Sequence, residues 1–270
     1  MGATFPIITG FLSILIGLLV GLSLGLVGAG GSILTVPALI YGLGIPVREA
    51  IPAALILVGL IAANGAMHHS KKGTVRLDIA VRFGLAGMIG AVLGARLSEF
   101  VHPRMLMILF AFVMLAAAVS LARRDATDGI VEAIRPFHLR PRGWTKLNLA
   151  GLAVGLLTGF FGVGGGFVIV PVLALFVGLS TREAVATSLV VIVMNCVGGL
   201  AGHLTLGSGF SAIAAILLGL FALGGAAGSG LGVRLAGRWP EKTLSRIFAT
   251  IVAGLAVYLL VRNLPGGRQG

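Results

Sequence analysis

The chain has 270 residues, of which 57% are hydrophobic and 10% charged, with a net charge of +12 and a mean hydropathy of +1.09. A soluble domain needs about a quarter charged residues to cover its surface, so a water-covered globule is excluded and an integral membrane protein is expected. The Lys and Arg residues fall in short gaps between apolar runs; that pattern orients membrane helices and excludes a nucleic-acid partner.

Ten apolar segments follow in chain order. Those of the first half cover residues 7–27, 32–44, 50–67, 79–97 and 105–122; those of the second cover 147–161, 166–178, 184–200, 211–231 and 243–261. Residues 1–6 hold no Lys or Arg, so the opening run reads as a retained helix and not as a cleaved signal. Crossing a bilayer takes about 20 helical residues. The second and seventh segments are too short, rising only about 20 Å, and read as half-helices or re-entrant segments. Residues 123–146 form the long polar stretch, with Arg123, Arg124, Arg135, Arg140, Arg142 and Lys146 against Asp125, Asp128 and Glu132. This basic linker is expected in the cytoplasm, between a first transmembrane repeat, 7–122, and a second, 147–262.

The halves are copies. Gly21-Leu-Ser-Leu-Gly-Leu-Val-Gly28-Ala-Gly30-Gly31-Ser-Ile-Leu-Thr-Val-Pro37 aligns with Gly155-Leu-Leu-Thr-Gly-Phe-Phe-Gly162-Val-Gly164-Gly165-Gly-Phe-Val-Ile-Val-Pro171 at an offset of 134 residues. The same offset pairs Arg48-Glu49-Ala50 with Arg182-Glu183-Ala184, and His69 with His203; after a short insertion Gly94-Ala-Arg96-Leu matches Gly232-Val-Arg234-Leu. Polar residues coincide as well as apolar ones, which marks internal duplication. The expected fold is therefore an all-α integral membrane bundle with two repeats of about five segments each. Loop charge favours inverted repeats: Lys71, Lys72 and Arg76 follow the third segment, whereas its counterpart has no Lys or Arg; Arg234, Arg238, Lys242 and Arg246 cluster between the ninth and tenth. Ten crossings give inversion with both termini outside, against which Arg262 and Arg268 count mildly; eight crossings give parallel repeats.

Gly17, Gly21, Gly25 and Gly28, with Gly151, Gly155, Gly159 and Gly162, recur at helical spacing and suit close helix packing. Clustered glycines at Gly28, Gly30 and Gly31, followed by Ser32, and at Gly162, Gly164, Gly165 and Gly166, break a helix. A break inside apolar sequence is tolerated only against protein or a wet cavity. The half-helix that follows starts with free N–H groups at its positive end, suited to an anion; a plain turn between short helices is the alternative. Neither loop completes a dinucleotide fingerprint, since Ile33 and Phe167 stand at the third glycine. Asn64, Thr187, Ser188 and Asn195 lie on the third segment of each half, where they bond between helices or meet a substrate. His69 and His203 are the groups available for proton coupling, because no Asp or Glu lies within a segment's centre. Cys196 stands alone, so no disulfide, metal centre or cofactor site is expected, and no catalytic cluster is present.

These residues resemble the TauE/SafE family of sulfite exporters: both glycine-rich repeats are present in order, each followed by an Arg-Glu-Ala helix start. The resemblance implies a multi-pass transporter of the cell inner membrane that moves small sulfur-containing anions, sulfite or organosulfonates. By motif it carries Gly28, Gly30, Gly31 and Pro37, with Gly162, Gly164, Gly165 and Pro171, into the substrate path; Ser32 opposite Gly166 makes the two half-sites unequal. The expected partners are a small anion, the bilayer and, as a homodimer, a second copy. A membrane-embedded enzyme and a non-transporting membrane subunit are the competing readings.

Overall fold

The computed structural model describes residues 4–70, 73–122, 141–204, 212–235 and 241–263. In order the chain forms α1 (Thr4–Val27), a 3-10 stretch (Gly28–Leu34), the short α2 (Thr35–Pro37) running into a π-helical turn (Ala38–Gly42), α3 (Val47–Ser70), α4 (Leu77–Glu99) and α5 (Pro103–Ala122). The second half forms α6 (Pro141–Phe161), α7 (Gly166–Val177), α8 (Thr181–Leu204), α9 (Ala212–Leu235) and α10 (Glu241–Asn263). Every regular element among the described residues is helical.

Two expectations need correction. The second segment is no plain half-helix: 3-10, α and π geometry succeed one another from Gly28 to Gly42. The sixth starts at Pro141 instead of 147, with Pro at the first helical position, where its missing N–H costs nothing. Trp144 is held there by Arg82, whose guanidinium lies 4.2 Å from the ring centre. The rest of the expected linker, 123–140, lies outside the described residues.

Among the described residues six helices are long and apolar enough to cross a membrane. The 24 residues of α1 would span about 36 Å, more than a hydrocarbon core of about 30 Å. Outward-facing side chains are apolar, among them Phe11, Leu19, Ile89, Leu149, Leu223 and Val261, as a lipid-covered surface requires.

Glycine decides how the helices meet. A Cβ on Gly17 would strike the backbone of Phe221, and one on Gly21 that of Gly225, so α1 and α9 run in the same direction at backbone contact. At the equivalent pair, Gly151 meets the backbone of Phe83, and Gly155 that of Gly87, so α6 and α4 do the same. These contacts are equivalent under exchange of the halves. Such closeness is open to helices only where side chains are missing. Between α3 and α8, Leu55 faces Gly199, Gly59 faces Cys196 and Gly65 faces Leu189. The numbering falls on one helix as it rises on the other, so this central pair runs antiparallel.

The start of α8 is fixed by a capping box. Ser180 N–H donates to Glu183 Oε2 at 3.1 Å, and Glu183 N–H donates to Ser180 Oγ at 3.3 Å. At one end of the bundle Arg104 Nε donates to the Asn263 carbonyl at 2.7 Å, Asn263 Nδ2 donates to Tyr41 Oη at 3.1 Å, and the Arg262 guanidinium lies 5.0 Å from the Tyr41 ring centre. Aromatic and basic groups together at a helix end suit the headgroup zone.

Candidate functional site

Both glycine clusters fold the chain back into the bundle, by different means. At the second, Gly162, Gly164 and Gly165 take φ of 74°, 70° and 69°, a region that side-chain-bearing residues rarely adopt. Gly162 N–H closes α6 on the Thr158 carbonyl at 2.8 Å. Gly165 is then the left-handed N-cap of α7, with no side chain capping it. Its carbonyl accepts Val168 N–H and Ile169 N–H, both at 3.0 Å. The first N–H groups of any helix lack an intrahelical acceptor, and here they lie at the positive end of a 12-residue helix.

A Cβ on Gly164 would stand 2.6 Å from Val58 Cγ1 and 3.2 Å from Ile192 Cγ2. Val58 and Ile192 occupy equivalent positions on α3 and α8, so the turn sits where the central helices cross. The first cluster stays right-handed, in 3-10 geometry. It closes by contact, with Gly31 pressed against the backbone of Ser23 and Leu24. Of the two clusters, the second alone breaks through left-handed glycines. Ser32 is fully buried in the first, Gly166 opens α7 in the second, Pro37 ends α2 and Pro171 lies within α7. Gly28 and Gly30 belong to the 3-10 stretch.

The polar residues divide by their partners. Thr187 Oγ1 accepts Arg76 N–H at 3.1 Å, and the Ser188 hydroxyl donates to the Val185 carbonyl at 2.8 Å; packing accounts for both. Asn64 lies further along α3, where His68 Nδ1–H donates to its carbonyl at 2.8 Å. Asn195 is fully buried, its Oδ1 against Gly87, and neither Oδ1 nor Nδ2 has a hydrogen-bond partner. Thr35 Oγ1 is in the same condition. An unsatisfied buried polar group costs roughly 1–3 kcal/mol, so these two stand out chemically. Thr35 was not among the expected site residues, nor was Thr158, whose hydroxyl lies beside Gly165 and donates to the Val154 carbonyl at 3.0 Å. Aligning the halves contains the signal, since Thr35 stands over Ile169 and Thr158 over Leu24.

The paired histidines are not brought together. Because α3 and α8 run antiparallel, His69 and His203 lie at opposite ends of the bundle. His203 is buried and donates Nε2–H to the Gly159 carbonyl at 3.2 Å, tying α8 to α6. His203→Ala is expected to lower stability by about 1–2 kcal/mol, seen as a lower thermal midpoint in detergent. His203→Gln, which keeps a donor, should retain most of it.

Two grooves flank the turns at equivalent positions. One lies between α1, α2 and α10, lined by Val20, Ser23, Leu34, Phe248 and Ile251 among others, with a volume of about 680 Å³. Its counterpart, between α6, α7 and α5, is lined by Val154, Leu157, Val168, Phe110 and Val113 and has closed to about 10 Å³. Among the described residues no group of three or more His, Cys, Asp or Glu side chains is placed to hold a metal ion.

The family described as sulfite exporter TauE/SafE matches residues 13–259. The chain belongs to the TauE/SafE family. A relative from Xylella fastidiosa (strain Temecula1), named "Probable membrane transporter protein", is 34% identical, the match covering 92% of this chain and 93% of the relative. YdhB of Bacillus subtilis is 29% identical over 90% of this chain and 98% of its own length, and MJ0441 of Methanocaldococcus jannaschii is 30% identical over 72% of each; both carry the same kind of name. No solved structure matches. This TauE/SafE protein is therefore a multi-pass membrane transporter, and its glycine turns lie inside the matched region.

Proposed function

We propose that this TauE/SafE protein exports a small anion, sulfite or an organosulfonate, by alternating access between two inverted repeats. The observation that carries the reading is the start of α7: an N-terminus without a side-chain cap, turned by Gly164 onto the crossing of α3 and α8. Helix starts of this kind hold the anionic groups of substrates in transporters built from inverted repeats. The antiparallel course of the equivalent helices α3 and α8 supports inversion, and the difference in volume between the two equivalent grooves supports a protein at rest in one of two related conformations.

Following the helix directions outward, one face of the bundle gathers Arg76, Lys146, Arg182, Arg234, Lys242 and Arg246 among the described residues; the other holds Arg48, Arg96, Arg104 and Arg262. The richer face is assigned to the cytoplasm of an inner-membrane protein, with both termini outside. A membrane potential of 100 mV, negative inside, contributes about 2.3 kcal/mol per charge, enough to move an anion outward without a coupled proton.

The test is flux from proteoliposomes holding purified protein and labelled sulfite, sulfonate or carboxylate anions, under imposed voltage and pH gradients. Sulfite or sulfonate efflux that rises with inside-negative voltage is expected. Failure to move any of the panel would leave a non-transporting membrane subunit as the better account.

A further inference from the structure

The seam between α5 and α10 holds a cavity that takes no part in the proposed anion path. Its volume is about 530 Å³, and its walls are Leu115, Ala118 and Val119 of α5 with Arg246, Ala249, Thr250 and Ala253 of α10. One cation therefore stands in a wall that is aliphatic apart from a single hydroxyl. That hydroxyl, of Thr250, donates to the Arg246 carbonyl at 2.9 Å, so the guanidinium is the group in this wall that can donate to an anion. Arg246 and Thr250 are exposed and Val119 is 43% exposed, so the cavity opens onto the lipid-covered surface. It lies toward the end of α5 and the start of α10. The opposite end of the seam differs: the offset that joins Arg96 to Arg234 also joins Phe110-Ala111 to Phe248-Ala249, and sets Ile108 at the place of Arg246 and Phe112 at that of Thr250. Duplication predicts equal ends; at these positions one end is charged and its counterpart is oily.

We propose that this cavity holds an anionic phospholipid of the cytoplasmic leaflet, its phosphate on the Arg246 guanidinium and one acyl chain along Leu115, Val119, Ala249 and Ala253. The leaflet rests on the orientation given above; the site itself does not rest on transport. From Arg246 to Ala253 α10 rises about 10 Å, which fits inside the roughly 15 Å of half a hydrocarbon core. Arg at such a depth lays its stem along apolar surface and keeps its charge at the headgroups. A guanidinium meets phosphate oxygens in a two-pronged bond. A free ion would find that one group and lose its water along the aliphatic wall, whereas an acyl chain is suited to the same wall. Basic pockets between helices on the cytoplasmic side are known places for anionic headgroups. A zwitterionic lipid offers the same phosphate but carries an ammonium group toward the face that gathers Arg76, Arg182 and Arg234. The anionic headgroup is favoured.

The test is lipid retention by the purified full chain in detergent holding equimolar phosphatidylglycerol and phosphatidylcholine with matched chains, read by native mass spectrometry. Wild-type protein should prefer phosphatidylglycerol by about fivefold, the factor that one basic residue contributes at a membrane surface. Arg246→Gln should lose that preference, and Arg246→Lys should keep most of it. Arg48→Gln, an exposed cation on the other face, should leave it unchanged. Ala253→Trp, which fills the cavity, should lose both lipids alike. A large molar excess of inorganic phosphate should displace neither. Equal retention of the two lipids by wild-type protein, an undiminished preference in Arg246→Gln, or displacement by phosphate overturns the proposal. Efficient disulfide cross-linking of copies through Val119→Cys, in a Cys196→Ala background, overturns it too, because a second copy would then cover the cavity. If wild-type protein moves no anion but keeps this lipid pattern, the export reading fails and the lipid site stands.

Discussion

Replacing Gly155 with valine is expected to remove the folded protein from the membrane fraction. A Cβ there would fall on the Gly87 carbonyl, which is backbone in the middle of a helix and cannot rotate away as a side chain would. Over-packing a tight interface costs about 1–3 kcal/mol when neighbours can shift, and here α4 and α6 would have to separate along their length. Gly21→Val, its counterpart against Gly225, should behave the same way. The check is monodisperse yield and thermal midpoint in detergent. Gly254 is a control of opposite sign: nothing lies within 4 Å of its Cβ position, so Gly254→Ala should gain the helix-propensity difference, up to about 1 kcal/mol. Equal losses at Gly155 and Gly254 would mean that close packing is not what these glycines provide.

Gly164→Val should abolish flux and spare insertion. At φ +70° with a Cβ position 2.6 Å from Val58 Cγ1, a β-branched residue is strained by its own backbone and by its neighbour. The strain is local to a turn and leaves the long helix contacts alone, so protein should still reach the membrane. What changes is the direction in which α7 begins, and with it the aim of the N–H groups. Gly164→Ala, smaller but still unsuited to that φ, should show an intermediate rate. Efflux at the wild-type rate from Gly164→Val would place the anion's path elsewhere.

Much of this fold was legible before any coordinates. Ten segments, the two short ones, and the offset joining Gly21 to Gly155 follow from helical periodicity and from polar residues that recur in register. The glycine spacing implies packing, and Gly17, Gly21, Gly151 and Gly155 do pack at backbone contact. Three things were not legible. Helix direction is a long-range property; loop charge hinted at it, but only the facing of Gly59 with Cys196 and Gly65 with Leu189 reveals which way α3 and α8 run. The histidines match in alignment, and the antiparallel course of α3 and α8 separates them. Thr35 and Thr158 were visible as letters, but a hydroxyl in an apolar helix most often bonds its own preceding turn. Thr158 does so; that Thr35 does not is a fact of packing, and no spacing encodes it.

The closest helix contacts join members of different halves, α1 with α9 and α4 with α6, each at backbone distance. The two halves of the chain are thus laced through one another like the fingers of clasped hands. Whatever pieces slide during transport cannot be the N-terminal and C-terminal lengths of the polypeptide, since parting those would tear open both glycine seams. On the alternating-access proposal, the bodies that tilt are mixed ones, each with a rod from either half, and the hinge between them lies across the interior.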